Sequence, residues 1–254
     1  MSTEDSGPAS LFDLSGRVAL VTGGSRGLGR EMVLGFARAG ADVVIASRKL
    51  DNCEALADEV RALGRRALPI AAHVGHWEEC TALVDAVYAE MGTLDILVNN
   101  AGMSPVAPSS AETTEELFDK VIGVNFKGPF RLGSIAGQRM YDADGGVIVN
   151  VSSSGALFPA PRFGPYAGAK AALNALTTVF ALEFAPKVRV NTISAGPFLT
   201  DIAKSWPDES KRSWRNAAGR PGNPGEVVTT ALYLASPASS YTTGSLIRVD
   251  GGLH

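Results

Sequence analysis

The sequence predicts an α/β fold: one doubly wound parallel sheet of about seven strands with helices on both faces. Three observations carry this. Strand and helix signals alternate along the chain from residue 17 onward. The strands read as unbroken apolar, β-branched runs, the pattern of strands covered on both faces. A glycine-rich turn follows the first strand and opens a helix. With no internal repeat and no linker, residues 13–254 read as a single domain, and residues 1–12 as a flexible tail.

The elements follow in order. RVALVT at 17–22 is the first strand, and a helix over 28–38 ends at Gly40. DVVIAS at 42–47 is the second strand. Asp51 and Glu54 have the spacing of a helix cap with its reciprocal partner, ahead of Leu56, Val60 and Leu63 at helical spacing. ALPIAA at 67–72 is the third strand; Leu83, Val84, Val87, Tyr88 and Met91 mark a helix closed by Gly92. LDILVN at 94–99 is the fourth strand, followed by a long helical region over 114–140 with a break expected near Gly123. GVIVNVS at 146–152 is the fifth strand, VRVNTI at 188–193 the sixth and LIRVD at 246–250 the last. Helices are expected over 165–184 and 225–235, and a polar insertion over 198–218 holds Trp206 and Trp214.

The 254 residues are ample for a large core. The net charge of −3 and pI near 5.7 lack the basic footprint of a nucleic-acid binder. No apolar run approaches the length of a membrane span, and the acidic, polar start lacks the marks of a secretory signal. Cys53 and Cys80 fall in predicted helices and read as reduced thiols of a cytoplasmic protein.

Sheets of this class bind ligands beyond the carboxyl ends of their strands, so motifs there bear on function. TGGSRGLG at 22–29 stands at the first such end. Its glycines, Gly23, Gly27 and Gly29, depart from the G-x-G-x-x-G spacing. They still let backbone amides and a helix N-terminus approach a pyrophosphate. Ser25, Arg26 and Leu28 complete the loop. At the end of the second strand an acid would select NAD(H). Here stand Ser47, Arg48 and Lys49, with no acid before Asp51. Arg26 and Arg48 with the Ser47 hydroxyl suit a 2′-phosphate, which favours NADP(H) and leaves NAD(H) possible.

Tyr166 and Lys170 lie four apart on a predicted helix, hence on one face. An ammonium beside a phenol lowers its pKa from about 10 and so readies it for proton transfer. A metal is not expected: His73, His76, Glu78, Glu79 and Cys80 straddle a strand end and a helix start without the pairing of a helical metal site.

NNAG at 99–102, Asn125 in VNF, Ser153 in NVSSSG, Tyr166, Lys170 and VDGG at 249–252 join the glycine loop in one order. Together they resemble the short-chain dehydrogenase/reductase family over 14–252, with its 3-oxoacyl, gluconate and ketone reductases the nearest in kind. The resemblance implies a Rossmann-type fold and transfer of a hydride between NADP(H) and a carbonyl or secondary alcohol. It implies Tyr166 as general acid/base, Lys170 tuning it and holding the nicotinamide ribose, Ser153 placing the substrate oxygen, and Asn125 supporting a water in a proton path. It adds Ala101 and Gly102 as a close wall against the cofactor, Asn99 as a further cofactor-binding residue, and SAGPFLT at 194–200 over the nicotinamide, with Gly196, Phe198 and Thr200 touching the cofactor. Ala195 stands where the family often has Pro. His73–Val74 stands where it usually has Asp–Val against the adenine, so His73 would meet the ring by another route. The aromatics of the insertion 198–218, Phe198, Trp206 and Trp214, suggest a lid over an apolar substrate, the alternative being that they pack the insertion onto the domain. Acidic Asp142 and Asp144 speak against docking of an acyl carrier protein, while Lys187 and Arg189 speak for it. The expected partners are a small carbonyl or alcohol substrate and copies of the chain in a homotetramer or dimer. A sensor or scaffold without turnover, and an epimerase or dehydratase on the same fold, are the alternatives.

Overall fold

The computed structural model describes residues 10–253. Seven strands form one parallel sheet: β1 (Val18–Thr22), β2 (Asp42–Ser47), β3 (Ala67–Ala71), β4 (Ile96–Asn99), β5 (Gly146–Ser153), β6 (Val188–Ala195) and β7 (Leu246–Val249). Their order is β3-β2-β1-β4-β5-β6-β7. The chain winds outward from β1 to β3, then returns to β1's other side with β4. β1 therefore pairs with both β2 and β4, Val21 standing opposite Ile45 on one side and Val98 on the other. This reversal opens a crevice at the carboxyl ends of β1 and β4.

The helices are α1 (Gly27–Arg38), α2 (Leu50–Ala62), α3 (Trp77–Met91), α4 (Glu115–Ile122), α5 (Gly128–Asp142), α6 (Gly164–Glu183), α7 (Asp208–Arg212) and α8 (Val228–Ala235). Strand side chains alternate between two cores. On one face, Ala19 and Val21 of β1 join Met32 and Phe36 of α1, Leu56 of α2 and Leu234 of α8. On the other, Val18 and Leu20 join Leu83 of α3, Leu132 and Met140 of α5, and Leu173 and Phe180 of α6. Each large side chain buried this way contributes roughly 1.5–3 kcal/mol. Both faces are covered, as continuous apolar strands require.

Three expectations are refined. Asp51 does not cap α2: the helix begins at Leu50, its N-cap is Lys49, and Asp51 lies in the first turn, where its charge suits the helix dipole. The break expected near Gly123 is no break. Gly123–Lys127 is a π-helical turn that joins α4 to α5. The tail expected over 1–12 falls mostly outside the described residues; Ser10–Phe12 form a 3-10 turn.

Candidate active site

The glycine loop is shaped by close approach. Gly23 and Gly27 adopt left-handed φ values of 61° and 55°, conformations that a side chain disfavours. A Cβ on Gly29 would stand 2.3 Å from the Gly23 carbonyl oxygen. The loop is held from behind by β4: the Asn100 side chain donates to the carbonyls of Thr22 (2.9 Å) and Gly23 (3.2 Å). The Thr22 hydroxyl accepts from the backbone of Asn100 and Ala101, each at 3.1 Å. Arg26 is the N-cap of α1, and its side chain makes no cap bond. The first-turn amides of Gly27, Leu28 and Gly29 are thus uncapped donors at the positive end of a helix, which fits a pyrophosphate.

At the end of β2 the Ser25 hydroxyl donates to Ser47 at 2.9 Å, joining the glycine loop to the second strand. Arg48 is exposed beside it. His73 follows β3 and its Nδ1 accepts from the Gly75 amide at 3.1 Å, while its ring stacks on His76 at 4.3 Å. Burial, with the neighbouring His76 and Arg48 charges, holds its pKa down. Val74 is buried, its carbonyl accepting from the Cys80 thiol. Glu79 binds the His73 amide and the His76 ring. Among the described residues no group of three or more His, Cys, Asp or Glu is arranged to hold a metal.

Ser153, Tyr166 and Lys170 come together where β5 ends and α6 begins. Pro165 occupies the first turn of α6, where its missing N–H is harmless, and this sets Tyr166 one turn ahead of Lys170. The Ser153 hydroxyl accepts from the Gly155 amide at 3.0 Å and lies close enough to the Tyr166 phenol to act on its pKa, a Cβ on Gly155 standing 3.4 Å from the one and 3.6 Å from the ring of the other. Ser152 takes the backbone role, donating to the Lys170 carbonyl at 3.2 Å. Lys170 is 3 % exposed and donates from Nζ to the Val151 carbonyl at 2.8 Å. Its burial pulls its pKa down to about 8.

One electrostatic expectation reverses. Lys170 was expected to lower the Tyr166 pKa, yet that pKa is raised: desolvation is the largest influence, and the Ser153 hydroxyl pulls it only partly back. The reason is geometric. The amine is directed at the Val151 carbonyl, and burial of the phenol is the largest influence on its pKa.

Asn125 lies fully buried in the π turn. Its amide donates to the carbonyls of Met103 and Val121, both at 2.9 Å, and its oxygen accepts from the Met103 amide at 3.2 Å. Both amide hydrogens are used in clamping the loop after β4, while the oxygen, having received one bond, keeps a second acceptor position. Gly102 lies between these groups: a Cβ there would stand 3.0 Å from the Asn125 oxygen and 3.6 Å from Lys170 Nζ. Ala101 follows on the same wall and is half-buried.

The Asn99 side chain, expected at the cofactor, is buried in the core. Its amide donates to Asn150 Oδ1 at 2.9 Å, Asn150 donates to Thr177 at 2.9 Å, and Thr177, whose own proton goes to the Leu173 carbonyl, accepts from Thr192 at 2.7 Å. This buried relay ties β4, β5, α6 and β6 together. Adjacent strand residues face opposite ways, so Asn100, not Asn99, reaches the glycine loop. Sequence reasoning passed over Asn100, though it stands in the same motif.

After β6, Gly196 passes so close to β7 that a Cβ would meet Asp250 Cα at 2.5 Å. Phe198 is 6 % exposed and sits in the core, its ring against Gly222 and its backbone bridged to it. Its ring is a packing element of the core rather than part of a lid. Thr200 lies over the glycine loop, its methyl 3.4 Å from where a Gly27 Cβ would be. Trp206 and Trp214 pack on one another at 4.6 Å. Arg189 is unavailable for docking: its guanidinium donates to Ser239 and to the carbonyls of Leu234 and Ser236.

The family model for the short chain dehydrogenases matches residues 17–211. An uncharacterised oxidoreductase of Mycobacterium tuberculosis is 39% identical over 96% of this chain and 94% of its own length. A gluconate 5-dehydrogenase from Burkholderia cenocepacia, solved with NADP and tartrate, superimposes with a TM-score of 0.92 at 32% identity, covering 97% of this chain and 98% of that one. A 7α-hydroxysteroid dehydrogenase, solved with NADH and 7-oxo glycochenodeoxycholic acid, gives 0.91 at 32% identity, over 98% of each chain.

Proposed function

The chain belongs to the short-chain dehydrogenase family of oxidoreductases, and on that premise we propose that it moves a hydride between NADP(H) and a carbonyl or secondary-alcohol substrate, with Tyr166 passing the proton. The observation that carries this is the convergence of the three side chains: a Cβ on Gly155 would stand 3.4 Å from Ser153 Oγ and 3.6 Å from the Tyr166 ring, and Lys170, one helical turn after Tyr166, is buried with its Nζ on the Val151 carbonyl at 2.8 Å.

When bound, the nicotinamide supplies or accepts the hydride. The protein's share is placement and proton transfer. In reduction Ser153 donates a hydrogen bond to the substrate oxygen, and the Tyr166 hydroxyl gives up its proton to it. The raised pKa of Tyr166 keeps it protonated at neutral pH, the form a reductase requires. Oxidation runs the same atoms in reverse and calls for the phenolate, so it is favoured by alkaline pH.

NADP(H) is preferred over NAD(H). Ser25 and Ser47 are bonded at the end of β2, Arg26 and Arg48 are exposed around them, and no acid intervenes before Asp51. A phosphate dianion finds charge-assisted donors there. Two similar enzymes were solved with NADP and with NADH respectively, so the side chains at β2 carry this choice.

The chain acts as one domain, with the part of 198–218 beyond Phe198 bordering the substrate. A small molecule is its substrate and the cytoplasm its location. Exposed Val179 and Leu182 on α6, with Phe130 on α5, give an apolar stripe suited to pairing in a dimer or tetramer.

Tyr166→Phe tests the proton role. The variant is expected to bind NADPH as the wild type does and to lose turnover by about a thousand-fold or more in an absorbance screen of carbonyls and alcohols. Near-normal turnover would remove Tyr166 from the mechanism; substrate conversion without net nicotinamide change would indicate an epimerase or dehydratase.

A further inference from the structure

The turn after Thr200 reaches back to the glycine loop through charge. Arg26 Nη1 stands 3.6 Å from Asp201 Oδ2, while the other carboxylate oxygen, Oδ1, holds Lys204 Nζ at 2.6 Å. The Thr200 methyl against Gly27 fixes the approach. Arg26 is at once the N-cap of α1 and one of the cations offered to the cofactor.

We infer that Asp201 is a specificity-determining residue for the dinucleotide: it holds Arg26 before the cofactor arrives and yields it to the 2′-phosphate. This rests on the NADP(H) reading above. The side chains of Arg26 and Asp201 are 65% and 41% exposed, and the pair is longer than a direct hydrogen bond. Such pairs are weak. A phosphate dianion offers the guanidinium two charge-assisted bonds and is the stronger partner. Asp201 is not left unpaired by the exchange, because Lys204 stays on its other oxygen. NADH has no 2′-phosphate and cannot draw Arg26 away. The carboxylate therefore weakens NADPH binding through one arginine and leaves NADH nearly untouched. It acts on affinity through another residue, so its effect must vanish when that residue is removed.

The experiment is a double-mutant cycle on binding, with NADPH and NADH titrated by fluorescence against wild type, Asp201→Asn, Arg26→Gln and the double variant. Asp201→Asn is expected to tighten NADPH by about two- to five-fold, the range an exposed ion pair allows, with NADH unchanged. Arg26→Gln is expected to weaken NADPH, and adding Asp201→Asn to it should then change nothing. An equal gain for both cofactors, no gain, or the same gain in the Arg26→Gln background overturns the role of Asp201. Tighter binding of NADH than NADPH by the wild type overturns the NADP(H) reading itself, and this role with it; that outcome is separate from a retained NADPH preference without coupling between the two positions.

Discussion

Lys170 Nζ donates to the Val151 carbonyl across 2.8 Å, and Val151 stands two residues before Ser153 on the same strand. One strand therefore fixes the amine and the serine hydroxyl, and one helix fixes the amine and the phenol. Ser152 adds a third tie, to the Lys170 carbonyl. The candidate site is set by the packing of α6 on β5 more than by its loops, which suits a reaction sensitive to small displacements.

That arrangement holds a charge in a place that disfavours it. Lys170 falls from 10.5 to about 8 because it is buried. Between those pH values the unfolded chain binds more protons than the folded one. Stability from this group therefore rises as pH climbs from about 8 to 10.5, and below 8 the full penalty, roughly 3 kcal/mol, applies. Lys170→Met removes that penalty at pH 7 but strands the Val151 carbonyl, at about 1–3 kcal/mol. The variant is expected to unfold in urea within about 2 kcal/mol of wild type while losing turnover by about a hundred-fold or more. A loss of stability well beyond that margin would mean that the amine is mainly a structural donor.

Ser153 has an electrostatic effect that its removal should expose. Its hydroxyl lowers the Tyr166 pKa against the larger upward push of burial. Ser153→Ala is therefore expected to raise that pKa further. In the oxidative direction, which needs phenolate, the rising limb of the pH–rate profile moves to higher pH, and kcat/KM at neutral pH falls about 10- to 100-fold. A profile that keeps its position while the rate falls would confine Ser153 to holding the substrate oxygen.

Much of this was legible in the sequence because it is local. The glycine loop, the Tyr166–Lys170 spacing and the apolar strands depend on neighbours a few residues away, and the fold followed from their alternation. What was not legible depends on contacts between distant segments. The motif NNAG does not say which asparagine faces the crevice; strand alternation turns Asn99 into the core and leaves Asn100 for the glycine loop. Phe198 looks like a lid aromatic until Gly222 is seen to receive its ring. The direction of the Tyr166 shift follows from desolvation by surrounding groups, which the positive charge one helical turn away does not reveal.

The buried relay through Asn99, Asn150, Thr177 and Thr192 should behave as one unit. Thr177 also donates to the Leu173 carbonyl at 3.1 Å, so it is fully occupied. Thr177→Val keeps the shape but strands the Asn150 amide and the Thr192 hydroxyl, and is expected to destabilise by about 1–3 kcal/mol in urea unfolding. Thr177→Ser, which keeps the hydroxyl, should recover most of that. A loss in Thr177→Ser with none in Thr177→Val would assign the effect to the methyl and its packing.

Two glycines near the site should respond in opposite ways to the same added methyl. At Gly29 the new Cβ would meet the Gly23 carbonyl at 2.3 Å, a backbone atom that cannot swing aside. Gly29→Ala must push the loop open, so NADPH affinity is expected to fall about ten-fold or more, the loss of one or two well-placed phosphate contacts. Gly168 lies inside α6 between Tyr166 and Lys170, and nothing stands within 4 Å of its would-be Cβ. Gly168→Ala is expected to stabilise by about 0.5–1 kcal/mol through helix propensity and to leave NADPH affinity unchanged. Thermal unfolding and a fluorescence titration on the two variants separate the cases. Unchanged NADPH binding in Gly29→Ala would show that the phosphates lie elsewhere than over this loop.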